Sequence, residues 1–274
     1  MYSRVYLEIT NICNKNCTFC HGTKRAPKML SIEEFETITD KLKGTTEYLY
    51  FHLMGEPLLH PDLPLFIKSA TNKGFKVAIT TNGTLLSSQE QMLINSGVYK
   101  ISISLHSFEQ GGEDEFADYI NSASAFANKS SQAGILTVFR LWNNGVDECR
   151  NAKILDMLKS TLQGEWKSGG KGYRIKNKLH LEFGERFQWP DKDIEDLSQN
   201  VFCYGLKDHF GILVDGTVVP CCLDAEGDIP LGNILIQDIN EILSLNRAIN
   251  LRTGFMNRNP SEKLCRKCGY ATRF

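Results

Sequence analysis

The sequence predicts an α/β fold: a partial (β/α)6 TIM-like barrel over 1–187, followed over 188–274 by a small C-terminal domain of a β-hairpin plus helices. Three observations carry this prediction. Six strand-like runs alternate with helical stretches up to about Gly184, which implies a parallel sheet with right-handed crossovers. Six repeats fit an incomplete barrel better than the eight of a full one. From about Gln188 the alternation stops, and Asp215-Gly216 between two β-rich runs is a strong hairpin signal.

Taken in order, the strand-like runs are Val5–Thr10, Tyr48–Met54, Phe75–Thr81, Lys100–Leu105, Leu136–Trp142 and Lys178–Phe183. Ser31-Ile32-Glu33-Glu34 is a capping box that opens the first helix. Pro61–Lys73, Ser87–Asn95, Glu113–Asn128 and Val146–Leu162 supply the other helices, and Ser168–Gly172 reads as a surface turn. A short acidic helix is expected after the break at Trp189-Pro190-Asp191. The hairpin then spans Phe210–Val214 and Thr217–Pro220, with helices at Ile236–Leu243 and Asn246–Arg252.

The strands alternate, whereas parallel strands covered on both faces usually read as continuous apolar runs. One face is apolar and suits a helix layer. The other carries Glu8, His52, Ser102, Ser104, His106, His180 and Glu182. In a barrel that polar face lines the lumen and argues for an open one holding a polar ligand; in a flat sheet it would simply be solvated. Arg140, between Phe139 and Leu141, needs an anionic partner.

The chain has 274 residues, 42% hydrophobic, with a net charge of −1. That balance gives no sign of nucleic-acid or membrane-surface binding. No apolar run is long enough to span a bilayer and no secretory leader is read ahead of the first strand. Nine cysteines in such a chain suggest a reducing cytoplasm and metal ligation, not disulfides.

Three of them, Cys13, Cys17 and Cys20, fall within eight residues where the first strand meets an Asn-rich loop. Three ligands leave an open position on a metal centre. The CxxxCxxC spacing resembles the signature of the radical S-adenosylmethionine (SAM) superfamily. The resemblance implies a [4Fe-4S] cluster on these thiolates that chelates SAM and cleaves it to a 5′-deoxyadenosyl radical. Met54-Gly55-Glu56-Pro57 resembles that family's GGEP motif, with Met54 in place of the first Gly; its backbone and Glu56 would hold the SAM amino group. Phe19 resembles the aromatic near the SAM adenine. Asn82 lies in a TNG-like turn, and Ser104 sits where relatives place a ribose-binding hydroxyl. Arg140 would meet the SAM carboxylate, with Glu8 or Glu182 as the alternative partner. His106 stands where many relatives carry an acidic residue.

A second set comprises Cys203, Cys221, Cys265 and Cys268. Twelve residues separate Cys203 from Gly216, and four separate Gly216 from Cys221. The pattern resembles the Twitch module, a shortened SPASM domain, which implies a fully ligated auxiliary [4Fe-4S] cluster suited to electron transfer. A structural four-thiolate zinc site is the alternative from the cysteines alone. Cys222 is read as a core thiol or substitute ligand, and Cys149 as packing.

The resemblance implies hydrogen abstraction from a small polar substrate and two-electron oxidation, as in a polyol or aminocyclitol dehydrogenase. His106, His180 and Glu182 are then candidate proton acceptors. A peptide or protein side chain is the rival substrate, and the short stretch before the first strand tilts against a fused leader-binding module. A flavodoxin- or ferredoxin-type donor is the expected partner. A non-enzymatic zinc protein is the remaining alternative.

Overall fold

The computed structural model describes residues 1–109 and 111–274. In chain order the strands are β1 (Arg4–Leu7), β2 (Tyr48–Phe51), β3 (Lys76–Thr81), β4 (Lys100–Ser104), β5 (Leu136–Asn144), β6 (Lys167–Gly169), β7 (Gly172–Lys176), β8 (Leu179–Glu185), β9 (His209–Ile212), β10 (Thr217–Val219) and β11 (Gly232–Asn233). The helices are α1 (Ile32–Lys41), α2 (Leu63–Asn72), α3 (Leu86–Asn95), α4 (Glu113–Gln132), α5 (Glu148–Thr161), α6 (Ile239–Ser244), α7 (Asn246–Met256) and the short α8 (Lys263–Arg266).

Six strands, β1 to β5 and β8, pair in parallel and in sequence order, as the β/α rhythm requires. Their apolar positions, among them Leu7, Phe51, Ile103 and Phe139, are buried against Phe35, Phe66 and Phe126 of the helix layer. The opening of α1 forms as its sequence dictates. Ser31 Oγ accepts from the Glu34 N–H at 3.2 Å, and the Glu34 carboxylate accepts from the Ser31 N–H at 2.9 Å, satisfying two donors that the first turn leaves free.

Four features depart from the sequence expectation. The stretch around Ser168–Gly172 is the tip of an antiparallel hairpin, β6–β7, that adds two strands beyond β8. All three β6 residues are exposed, so no apolar alternation marks them. The short acidic helix does not form over 191–200; the Leu197 and Ser198 N–H groups instead donate to the Arg266 carbonyl at 2.9 and 3.1 Å. The hairpin β9–β10 does not stand apart, because β9 pairs in parallel with β1, Arg4↔His209 through Leu7↔Ile212. Cys149, expected to pack, is exposed on α5. The result is one sheet in the order β11-β10-β9-β1-β2-β3-β4-β5-β8-β7-β6. It curls around a polar lumen and stays open between its two edges. Among the described residues no helix is long and apolar enough to cross a membrane.

Candidate active site

The loop after β1 carries Cys13, Cys17 and Cys20 over the C-terminal ends of the parallel strands, where barrel sites form. The ends of β3 and β4 contribute tethers. Asn82, after β3, donates to Asn14 Oδ1 at 2.8 Å, and its Nδ2 lies 3.9 Å from Cys13 Sγ. Cys17 Sγ lies 3.6 Å from the Ser107 carbonyl after β4. The Lys15 and Gly22 N–H groups donate to Cys13 and Cys20 Sγ at 3.5 and 3.4 Å. Backbone N–H bonds to sulfur are among the groups that tune a cluster's potential.

Gly55 sets how the β2 end meets this loop. Its φ is +77°, and a Cβ there would lie 2.2 Å from the Thr10 carbonyl oxygen. The close approach is to the chain itself, and the next residue's N–H donates to the Ile12 carbonyl at 2.9 Å. Gly55→Ala is therefore expected to cost roughly 2–5 kcal/mol, the left-handed backbone penalty plus the clash. A fall in the urea midpoint, with reduced iron retention, would show it; an unchanged midpoint would contradict it. Met54 is buried, and its N–H donates to Glu8 Oε1 at 3.3 Å. The Glu56 carboxylate is buried and accepts from the Leu58 and Asn82 N–H groups at 3.0 and 2.7 Å, joining the ends of β2 and β3. Burial pushes its carboxyl up despite those bonds.

Phe19 ends the loop with its ring 4.6 Å from that of His106. Its carbonyl accepts from Trp189 Nε1 at 2.9 Å. His106 Nδ1 sits 3.0 Å from the Arg140 carbonyl and 3.4 Å from the Trp142 N–H, so the tautomer sets whether it donates to the first or accepts from the second. Burial drives its pKa down to about 4, and that of His52 to about 3. Both rings are neutral at pH 7.

Ser104, Arg140 and Glu182 form one row across β4, β5 and β8. Glu8 is not a partner of Arg140. It is 1% exposed and takes Arg25 in a two-pronged pair at 2.8 and 2.6 Å. It also accepts from the Val214 N–H at 2.9 Å. Arg25 in turn donates to the Ala225 carbonyl at 2.8 Å. Sequence reasoning missed Arg25, Trp189 and Lys100. Only the need of a lumen carboxylate for a cation hinted at the first.

The four later cysteines, Cys203, Cys221, Cys265 and Cys268, line one cavity, walled otherwise mainly by apolar groups such as Ile229, Phe255 and Leu264. Burial pushes the Cys221 and Cys265 thiols well up, and the neighbouring cysteines add to it. In the first trio, burial, then Glu109, then Cys20 and Cys13 push Cys17 up to about 12. Bound metal cations would hold such buried thiols as thiolates. Among the described residues no three His, Cys, Asp or Glu side chains gather tightly enough for a single metal ion. As donor sets, the three thiols of the loop and the four of the later cavity fit iron–sulfur clusters by their chemistry. Cys222 lies outside the four-thiol cavity. It sits beside Tyr6 in the lumen, where burial raises it to about 11.

Comparison with known proteins agrees with this layout. Residues 7–130 match the radical SAM superfamily, and 203–269 match SPASM, an iron–sulfur cluster-binding domain. A probable GTP 3′,8-cyclase of Pyrobaculum aerophilum is 31% identical over 101 residues, 36% of this chain and 33% of that protein. The match thus spans about a third of the length of such relatives. BtrN, solved with AdoMet and 2-DOIA, superimposes with a TM-score of 0.61 at 18% identity over 98% of this chain and 93% of BtrN. SuiB of Streptococcus suis gives 0.64 at 16% identity over 92% of this chain and 68% of SuiB. At these identities the likeness concerns the fold. Domains of these two kinds hold a SAM-binding [4Fe-4S] cluster and auxiliary iron–sulfur clusters, respectively. The chain thus joins a radical SAM domain to a C-terminal SPASM iron–sulfur cluster-binding domain.

Proposed function

We propose that the protein is an oxidoreductase that removes hydrogen from a small polar substrate held in the barrel lumen, with Cys13, Cys17 and Cys20 as the ligands of the SAM-binding cluster and the four later cysteines as those of the auxiliary one. The observation that carries this reading is the three-thiol loop seated over the strand ends and joined through Phe19 and His106 to a polar lumen. When bound, SAM with its cluster would supply hydrogen-abstracting chemistry, and a cluster on Cys203, Cys221, Cys265 and Cys268 would supply an electron acceptor.

The chain's own residues position the substrate and exclude water. Ser104 and Arg140 offer polar contacts toward the lumen, and Phe19 closes the cluster side. In an alcohol-to-ketone oxidation the hydroxyl proton must leave. Glu182 is the acceptor best supported, since it lines the lateral cavity with His180 and meets no cation in an ion pair among the described residues. Burial holds the His106 ring's pKa down at about 4, which counts against it as a proton acceptor. A peptide side chain remains the second reading, supported by the cavity's opening to one side. A flavodoxin or ferredoxin would deliver the reducing electron in either.

The test is anaerobic reconstitution, an iron and sulfide count, and a search for 5′-deoxyadenosine after adding SAM and dithionite. About eight irons per chain and SAM cleavage are expected. Full iron loading with no SAM cleavage would overturn the reading. Zinc at the second site would remove the oxidative role of the auxiliary cluster.

A further inference from the structure

Only Thr18 and Phe19 separate Cys17 from Cys20, and side chains from distant segments hold their backbone. The Thr18 N–H donates to the Glu109 carboxylate at 2.5 Å, and the Thr18 hydroxyl donates to it at 2.6 Å. The Thr18 carbonyl accepts from Arg186 Nη2 at 3.1 Å, and the Phe19 carbonyl accepts from Trp189 Nε1 at 2.9 Å. The Trp189 ring also stacks on that of His21, close to Cys20 in sequence, at 6.0 Å and 27°. Glu109 follows β4. Arg186 and Trp189 belong to a different piece of chain, the stretch 186–189 that leaves β8.

That stretch is seated on the residues that follow Cys268. The Gly269 N–H donates to the Gln188 carbonyl at 3.1 Å. A Cβ at Gly269 would lie 2.8 Å from the same carbonyl oxygen, so the two backbones meet as closely as a glycine allows. Phe187 meets Tyr270 edge to face, with centroids 5.1 Å apart, and meets Trp189 at 5.5 Å. Arg273 Nη2 donates to the Glu185 and Arg186 carbonyls at 2.9 and 3.2 Å. One short strap thus touches the first cysteine loop on one side and the end of the second cysteine set on the other. Gly269 and Tyr270 come directly after Cys268, so whatever fixes that thiol fixes the seat of the strap.

We propose that Trp189, with Arg186, is a positioning residue of the three-thiol site and makes that site's hold on iron depend on whether the second thiol set is filled. The proposal rests on the assignment of the two cysteine sets to clusters given above. A filled second set fixes Cys268, and through Gly269 and Tyr270 it fixes the strap. The strap then holds the Cys17–Cys20 span from its carbonyl side, opposite the Glu109 carboxylate on its N–H side. An empty second set leaves the seat free to shift, and the first site gives up iron more readily.

The anaerobically reconstituted protein is mixed with a ferrous chelator, and iron release is followed by absorbance. The phase that belongs to the first site is the one that added SAM slows, since a ligand protects the state it binds. Trp189→Phe keeps a ring against His21 and Phe187 and loses only the N–H; it should speed this phase several-fold. Cys265→Ala with Cys268→Ala should speed it as well, although neither thiol belongs to the first site. Trp189→Phe should then add little on top, because two changes that act through one path do not add. Arg273→Met, which loosens the strap from the far side, should reproduce the gain and the same lack of additivity, and it decides the matter if the double cysteine variant does not fold. A first-site rate unchanged by Trp189→Phe would overturn the proposal. So would a full extra effect of Trp189→Phe in the cysteine or Arg273 background, which is what a purely local contact would give. Failure of the three-thiol loop to take up iron at all would sink the cluster assignment and the strap with it. Normal loading of both sites without coupling would sink the strap alone.

Discussion

Replacing Cys13, Cys17 and Cys20 together by Ala is expected to lower the iron of the reconstituted protein from about eight atoms to about four and to bring 5′-deoxyadenosine formation down to background. The effect is large because the loop offers nothing in their place. Near the thiols stand backbone N–H donors, Asn82, the Ser107 carbonyl and the Glu109 carboxylate, which already accepts from the Thr18 N–H and hydroxyl; none is a soft thiolate. The residual iron should report the four-thiol cavity, which lies in a separate apolar setting near Phe255 and Leu264. Cys222→Ser and Cys149→Ser serve as controls and should retain the full count, since one thiol faces the lumen beside Tyr6 and the other is exposed on α5. Iron and sulfide analysis beside a SAM-cleavage assay reads both quantities. Loss of all iron from the triple variant would mean that the second site does not fill independently.

Glu8→Gln is expected to destabilise the fold by about 3–5 kcal/mol, the cost of breaking one partner of a buried ion pair. Glu8 is a junction of three segments. Its oxygens accept from Arg25 on the cysteine loop, from Met54 at the end of β2 and from Val214 beyond β9. An amide offers one acceptor oxygen where the carboxylate offers two, and its NH2 would face donors. Arg25 would then be left mostly buried with only the Ala225 carbonyl as partner. Glu8→Gln combined with Arg25→Met should recover part of the loss, because removing both charges avoids the unpaired one. Urea unfolding followed by far-ultraviolet circular dichroism, with iron retention alongside, gives the result. A midpoint within error of wild type would show that the pair carries little.

What the sequence displays is what depends on local period. The six parallel strands follow from alternation, the capping box from four residues, and the three-cysteine loop from spacing. The polar face of the strands does enclose a lumen, as the buried Glu8 and Ser102 attest. What escaped is what depends on a distant choice. β6 is too short and too polar to carry a pattern. The partner of β9 is β1, some two hundred residues away, and nothing in His209–Ile212 names it. The segment after Pro190 has an acidic, helix-like composition, yet its N–H groups are claimed by Arg266. Likewise Glu8 read as a lumen carboxylate, but its cation comes from Arg25, and the expectation that Arg140 might use Glu8 fails for that reason.

The placement of β1 between β2 and β9 has a consequence for how the protein is made. A ribosome delivers the chain from its N-terminus, so β1 and the cysteine loop behind it emerge well before β9. The second neighbour of β1, His209–Ile212, and the Val214 N–H that meets Glu8 emerge about two hundred residues later. Until then the first strand has an open flank, and the earliest cysteines hang from an unfinished barrel. Closing a contact of such sequence separation is slow. Ordered iron loading of the first site is therefore expected only once β9 has joined β1, and a nascent fragment ending before β9 would present three thiols without the full scaffold that orients them.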